Sequence, residues 1–492
     1  MKNTLALIIF LTSAILSSAA EKPNIIVIMV DDLGYNDVGY NGCEDIPTPN
    51  IDRLAHDGAQ LTSGYVTGAM CGPSRAGFIT GKWQSTFGFY KNPKQPLNPT
   101  HGLPAGINTV ASYMQQQGYK TGGVGKWHMG SIPSQHPNAL GYDDWYGFLS
   151  GGRYYFPDDH PNYNGKYLKK TTPWNMRMVH HTFPMLHNYK VLEWDQYITR
   201  ELTAYSLKFI DDNKENPFFL FVSYNAPHLE LEAPEETIAK FPEDKMSKVP
   251  GVSPKTRSIY AAMTYEMDLG VGQIIQSLEE KGLLENTLIW FLSDNGGMKK
   301  TSDNRPLKGA KGSIHEGGLR VPFIAHWPNS IPKGSKIDHP VTSLDIGATA
   351  VAIAGGDLST TDLHGVSLLP NLKGESTEKP HEEIYWSWSY HTEKDERGVY
   401  LKDGYKLILQ KGEKELYYLP EDISENNNLA ATKPEIVFSY YARWKELNQK
   451  SAPRYFTEKD KSKWAYQYAN YEWLKGTPHY KENINPMDEL KK

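Results

Sequence analysis

Short apolar runs without alternation punctuate the chain. Asn24 to Val30, Pro217 to Val222 and Thr287 to Leu292 are rich in β-branched and aromatic side chains and predict strands buried on both faces. Elsewhere apolar residues recur every three or four positions. This spacing predicts helices over Pro49 to His56 with Thr48 as cap, Thr109 to Gln117 ending at Gly118, and Ile259 to Lys281. In the last of these, Met263, Met267, Val271, Ile274 and Leu278 form one stripe before Gly282. Strands alternating with helices imply an α/β sheet covered on both faces. After about Gly374 the pattern changes. Ile384, Trp386 and Trp388 alternate with polar or tyrosine neighbours, and short strands follow at Val399 to Leu401, Lys406 to Leu409 and Leu416 to Leu419. Glu435 to Leu447 predicts a helix with Pro434 at its first position. The expected organisation is a large catalytic domain over 21–374 and a smaller α+β subdomain over 375–492. The tail beyond Ser451 is aromatic and polar and carries no motif, and the chain shows no internal repeat.

The first twenty residues fall outside this pattern. Lys2 precedes an apolar run from Leu5 to Leu16, and Ser18-Ala19-Ala20 supplies small residues before the polar Glu21. This is the layout of a secretory signal, too short to span a bilayer, and no cysteine stands at the cleavage point for a lipid anchor. No later run is long enough for a membrane anchor. The formal net charge of −5 excludes a broadly basic surface, so non-specific nucleic-acid binding is not expected. Charged residues at 22% and a mean hydropathy of −0.56 describe a soluble globular chain. Its two cysteines, Cys43 and Cys71, cannot make a disulfide scaffold. With no Asn-x-Ser/Thr acceptor (Asn98 is followed by Pro99), these features point to an exported, periplasmic or secreted bacterial protein.

Chemistry gathers where the strands end. The first predicted strand runs into Asp31-Asp32, the second into Asn225-Ala226-Pro227-His228, and the third into Asp294-Asn295. In open α/β sheets ligands bind outside the carboxyl ends of the strands, so parallel strands would bring these groups to one crevice. Oxygen donors of this kind suit a hard cation, Ca²⁺ or Mg²⁺, better than zinc. A second cluster is Cys71-Gly72-Pro73-Ser74-Arg75, which precedes Gly81 and places Cys71 just before a helix N-terminus.

The stretch from Cys71 to Gly81 resembles the type I sulfatase signature C-x-P-S-R-x-x-x-x-T-G, with Phe78 where leucine is usual. Gly118 to His128 resembles the second signature of the same formylglycine-dependent sulfatases, and the likeness runs from Lys22 to about Leu429. The resemblance implies an alkaline-phosphatase-like α/β fold, a central mixed sheet sandwiched by helices, with the smaller C-terminal part carrying an antiparallel sheet. It implies that Cys71 becomes formylglycine, through a formylglycine-generating or anaerobic maturation enzyme. The hydrated aldehyde attacks sulfur, and its second hydroxyl expels sulfate. One calcium ion would be held by Asp31, Asp32, Asp294 and Asn295, with the Cys71 side chain beside it, and Asp294 would also serve as base. Arg75 would steady the nucleophile and the carboxylates. Lys126 and Lys311 would bind sulfate oxygens, with Lys308 a near neighbour of the latter. His128 would deprotonate the second hydroxyl, and His228 would protonate the leaving alcohol. Glu316 and Arg320 would fix the Lys311 loop.

The signatures read the sulfate and leave the alcohol open. A sulfated carbohydrate, an algal polysaccharide fragment or a glycosaminoglycan, is the expected substrate. Pocket candidates are Ser150 to Tyr155, His180, His181 and His187, and Trp386 to His391. Two other readings stand beside this one: a phosphodiester or phosphonate monoester hydrolase of the same superfold, and a non-catalytic binder of sulfated glycans. Conversion of Cys71 would leave Cys43 unpaired, so no disulfide is expected.

Overall fold

The uninterrupted apolar runs form the middle of one large sheet. The computed structural model describes residues 22–93, 101–157, 185–388, 397–453 and 455. The signal segment, His180 and His181, residues 389–391 and most of the tail beyond Ser451 lie outside them. In chain order the strands are β1 (Asn24–Val30), β2 (Ala59–Leu61), β3 (Gly64–Tyr65), β4 (Lys120–Lys126), β5 (Asp144–Phe148), β6 (Met185–His187), β7 (Lys190–Leu192) and β8 (Phe218–Ser223). They continue with β9 (Thr287–Ser293), β10 (Phe323–His326), β11 (Ser335–Ile337), β12 (Val341–Thr342), β13 (Ile384–Ser387), β14 (Gly398–Lys402), β15 (Tyr405–Gln410) and β16 (Glu413–Tyr418).

Ten strands make a mixed sheet in the order β11-β2-β10-β9-β1-β8-β4-β5-β6-β7. At its centre β9, β1, β8, β4 and β5 run parallel, while β10 is antiparallel to β9 and β6 to β5. The anticipated parallel register of the three apolar runs is present, with Ile25 opposite both Phe219 and Leu288.

Each central strand feeds two cores. On β1, Ile25, Val27 and Met29 point to one face and Ile26, Ile28 and Val30 to the other, all fully buried. Helices Cys71–Thr80, Val110–Gln116 and Leu344–Ile353 cover the first face. Helices Pro49–Asp57, Ile198–Asn213 and Pro254–Glu280 cover the second. Burial on both sides is why no alternation is visible in these strands. At about 25 cal/mol per Å² this buried apolar surface is the main favourable term of the fold.

β4 was not legible as a strand because Gly122, Gly123 and Gly125 interrupt it. The glycines answer to packing. A Cβ on Gly122 would lie 2.3 Å from the Phe209 ring, and one on Gly125, at φ +107°, would lie 2.0 Å from the Ser223 carbonyl oxygen. Capping also departs from expectation. Thr48 makes no side-chain cap for its helix; Asp268, from the long helix across the sheet face, accepts from Asn50 N at 3.1 Å and Ile51 N at 2.9 Å. The long helix itself starts at Pro254, five residues before the expected Ile259, because Ser253 accepts from Thr256 N.

The second sheet is antiparallel, β13-β14-β15-β16. Its inner face, with Ile384, Trp386, Val399 and Ile408, packs on Tyr65, Ile314 and Leu319 of the larger body. Its outer face, with Tyr400, Leu407 and Leu416, receives Trp444 and Leu447 from helix Pro434–Asn448.

Candidate active site

β1, β8, β4 and β9 all end at the same edge, and the polar residues that follow them meet there. Ligand atoms of Asp31, Asp32, Cys71 and Asp294 lie within 4.8 Å of one another, all buried, and Asp31, Cys71 and His228 form an overlapping group. Asp32 turns the chain sharply at φ +64°, a left-handed conformation that directs two consecutive carboxylates into one space. Helix Cys71–Thr80 opens on Cys71 itself, with Met70 as its N-cap, one residue earlier than expected, and closes at Gly81 in the left-handed region. Cys71 Sγ lies 3.3 Å from Asp31 Oδ1.

Three cations surround the three carboxylates. Arg75, fully buried, donates from Nε to Asp294 Oδ2 at 2.8 Å, and Lys126 Nζ is ion-paired with Asp31 Oδ2. Lys311 Nζ reaches Asp32 Oδ2 at 2.7 Å. Lys308 is turned away, donating to Glu425 O at 2.9 Å and Tyr417 OH at 3.2 Å. Asn295 donates to Asp32 Oδ1 at 2.6 Å, and its own Oδ1 is buried without a hydrogen-bond partner among the described residues.

The donor set fits a hard divalent cation. Its members are carboxylate and amide oxygens, and the orphaned Asn295 oxygen is the kind of atom that a metal ion satisfies. Burial, reinforced by the Asp31 charge, lifts the Asp294 carboxyl up to about 7, a crowding that a cation relieves. Burial also raises Asp31, but Lys126, then His228 and Arg75, outweigh it and hold that group well below the usual range. Burial and then the Asp31 charge push the Cys71 thiol upward, so the unmodified thiol stays protonated and is a weak nucleophile.

Two histidines flank the cluster. His228 Nε2 stands 3.7 Å from Asp32 Oδ2, while its Nδ1 contacts the Leu229 carbonyl. His128 is buried, at φ +64°, with Nδ1 lacking a hydrogen-bond partner among the described residues. Burial depresses both imidazoles, with Lys126 and Arg75 adding to the effect at His128. Gly151 lies against the His128 ring, where a Cβ would approach Nε2 to 2.4 Å.

All ten sequence-derived residues therefore reach this edge of the sheet. The substrate candidates divide. Gly151 adjoins His128, whereas Trp386 and Trp388 are packing residues between the two sheets, Trp386 donating to Val66 O at 2.9 Å. His187 sits on β6, one strand in from the sheet edge, and pairs with Asp144 at 2.9 Å. Sequence reasoning missed Ser223, whose hydroxyl accepts from Arg75 and donates to the Lys126 carbonyl oxygen at 2.7 Å. No local signal distinguishes that serine from any other residue ending a strand.

Carboxylates at the centre, cations around them and two histidines at the rim define an ester hydrolase for a tetrahedral oxyanion. The chain belongs to the sulfatase family: the family's model matches residues 23–356, and the model for the N-sulphoglucosamine sulphohydrolase C-terminal region matches residues 310–453. It is thus a sulfuric ester hydrolase. It is 31% identical to human steryl-sulfatase over 454 residues, covering 78% of this chain and 75% of that protein. It is also 31% identical to mouse N-acetylgalactosamine-6-sulfatase over 401 residues, covering 76% and 71%. The solved structure of Ps i-CgsB in complex with k-i-k-neocarrahexaose superposes with a TM-score of 0.79 at 36% identity, covering 88% of this chain and 94% of that one. The phosphonate monoester hydrolase of Agrobacterium radiobacter shares the fold, with a TM-score of 0.63 at 18% identity, covering 87% and 96%.

Proposed function

We propose that this chain hydrolyses sulfate esters of a sulfated carbohydrate, with Cys71 carried as formylglycine and one calcium ion held by Asp31, Asp32, Asp294 and Asn295. The observation that carries the reading is the convergence of Asp31, Asp32, Asp294 and Cys71 donor atoms within 4.8 Å. The carbohydrate class is supported by relatives whose names specify sugar sulfates and by the likeness to a structure holding a neocarrahexaose.

When present, the hydrated aldehyde supplies the attacking oxygen and calcium polarises the sulfate. The chain's own residues do the rest. Lys126, Lys311 and Arg75 place three positive charges around the point where charge grows in the transition state, in a site shielded from water. With its pKa lowered, the His228 imidazolium gives up its Nε2 proton readily to the departing alcohol oxygen. His128 Nδ1, without a hydrogen-bond partner among the described residues, is a ready proton acceptor. An ion at the site also explains how a chain of net charge −5 attracts an anion, because local field outweighs net charge. The same reading makes the protein an exported bacterial enzyme, with 1–20 removed, 21–374 catalytic and 375–492 a smaller subdomain. Among the described residues no helix is long and apolar enough to cross a membrane.

Peptide mass spectrometry across Cys71, on protein from its native host, tests the mechanism. An aldehyde is expected, and an unmodified thiol in active enzyme overturns it. Assaying that preparation against sulfated oligosaccharides and phosphodiesters tests the reaction, and a preference for phosphodiesters would move the chain to the rival chemistry.

A further inference from the structure

The loop that carries Lys311 is restrained from two directions. Toward the site, Lys311 N donates to Gly297 O at 3.0 Å and Gly312 N to Ala69 O at 2.7 Å. Away from it, the loop meets the four-stranded sheet through charge. Lys406 Nζ on β15 lies 2.7 Å from Glu316 Oε1 and 2.9 Å from Glu425 Oε1, and Glu425 Oε2 accepts from Glu316 N at 2.7 Å. Glu316 Oε2 also accepts from Tyr65 OH at 2.8 Å, and Lys308 ties the loop's first residue to Glu425 O.

These charges are fully buried: the Lys406 side chain is 1% exposed, and those of Glu316 and Glu425 0%. The two bodies already have an apolar seam, Ile384, Trp386 and Ile408 against Tyr65, Ile314 and Leu319, so docking alone does not require a buried ion triad. Charges taken out of water are costly, and what they add over apolar contact is direction. Direction matters here because Gly309 and Gly312, at φ +89° and +85°, flank Lys311 and leave its backbone little intrinsic stiffness.

Building on the reading of Lys311 as a sulfate contact, we propose that Lys406 is a positioning residue for Lys311. Through Glu316 and Glu425 the four-stranded sheet sets where the Lys311 ammonium enters the site. The test uses the full-length mature protein in a double-mutant cycle of Lys406→Met and Lys311→Ala, with hydrogen–deuterium exchange followed over 308–320. Lys406→Met is expected to lower kcat about tenfold or more alone, yet less than about threefold further in the Lys311→Ala background. Exchange over 308–320 should rise while 31–37 stays protected. Should Lys406→Met fail to melt cooperatively, Lys308→Met, at an exposed position, runs through the same cycle. Losses that multiply across the cycle, or an unchanged exchange profile in a folded variant, overturn the proposal. Exchange is readable without turnover, so a rise over 308–320 in protein that cleaves no sulfate ester counts against the sulfatase reading alone.

Discussion

His228 shows how one side chain's surroundings define its task. Its Nδ1 faces the Leu229 carbonyl, leaving Nε2 toward the carboxylate cluster, and burial lowers its pKa. An acid in that position matters most when the leaving group is a poor one. His228→Gln should therefore slow hydrolysis of a sugar sulfate by about 10²- to 10⁴-fold, but an aryl sulfate with an acidic phenol by much less. Equal losses on the two substrates would take the proton-donor role away from His228. The residues of this site were legible in the sequence because their types are restrictive: a Cys-x-Pro-Ser-Arg run and paired acids at strand ends have few alternative explanations. Ser223 was not, because its importance lies in the two groups brought to it from Arg75 and Lys126.

At the scale of elements, the link between the two sheets has a titratable bond. His381, just before β13, lies 2.8 Å from Asp345 Oδ2 on helix Leu344–Ile353, and Asp345 also accepts from Thr342 N and Val366 N. Burial alone would lower the His381 pKa, but the Asp345 charge and hydrogen bond more than offset it and raise it above its ordinary value. A raised folded-state pKa contributes stability that is fully present below the unfolded value of 6.5 and is lost as pH rises through the folded value. Denaturant unfolding should show stability declining above pH 6.5, and His381→Asn should flatten that decline. A variant with an unaltered slope would show that the bond carries no linkage. Helix ends and the glycine-rich β4 were the elements least visible in sequence. The cap of helix Pro49–Asp57 comes from Asp268, more than two hundred residues away, and β4 is a strand only because Phe209 and Ser223 need its glycines.

For the whole molecule, the expected cation should act as a folding ligand as well as a reagent. Calcium added to metal-free protein should raise the melting temperature, by about 2.7 kcal/mol of stability at a hundredfold excess over Kd, and a chelator should reverse it. Asp32→Asn should shift the calcium midpoint upward by about tenfold or more while preserving the fold. A melting temperature indifferent to calcium would leave the carboxylate cluster without its proposed ion. Cys43 and Cys71 are both free, so a reducing agent should leave the melting temperature unchanged. Burial pushes the Cys43 thiol up to about 12, which keeps it protonated and unreactive.

The amino-acid sequence by itself determined the α/β class, the central strands and the identity of the chemical groups. These depend on local pattern and residue type, and both are written along the chain. Tertiary structure alone decided that three carboxylates, three cations and two histidines share one edge of the sheet, because that requires β1, β4, β8 and β9 to lie side by side in parallel. It also decided which of Lys308 and Lys311 faces the carboxylates, that Trp386 packs instead of lining a pocket, and that a lysine on the second sheet braces a loop of the first. Each of those outcomes is a contact between residues distant in the chain, and local pattern carries no information about which distant partner will arrive.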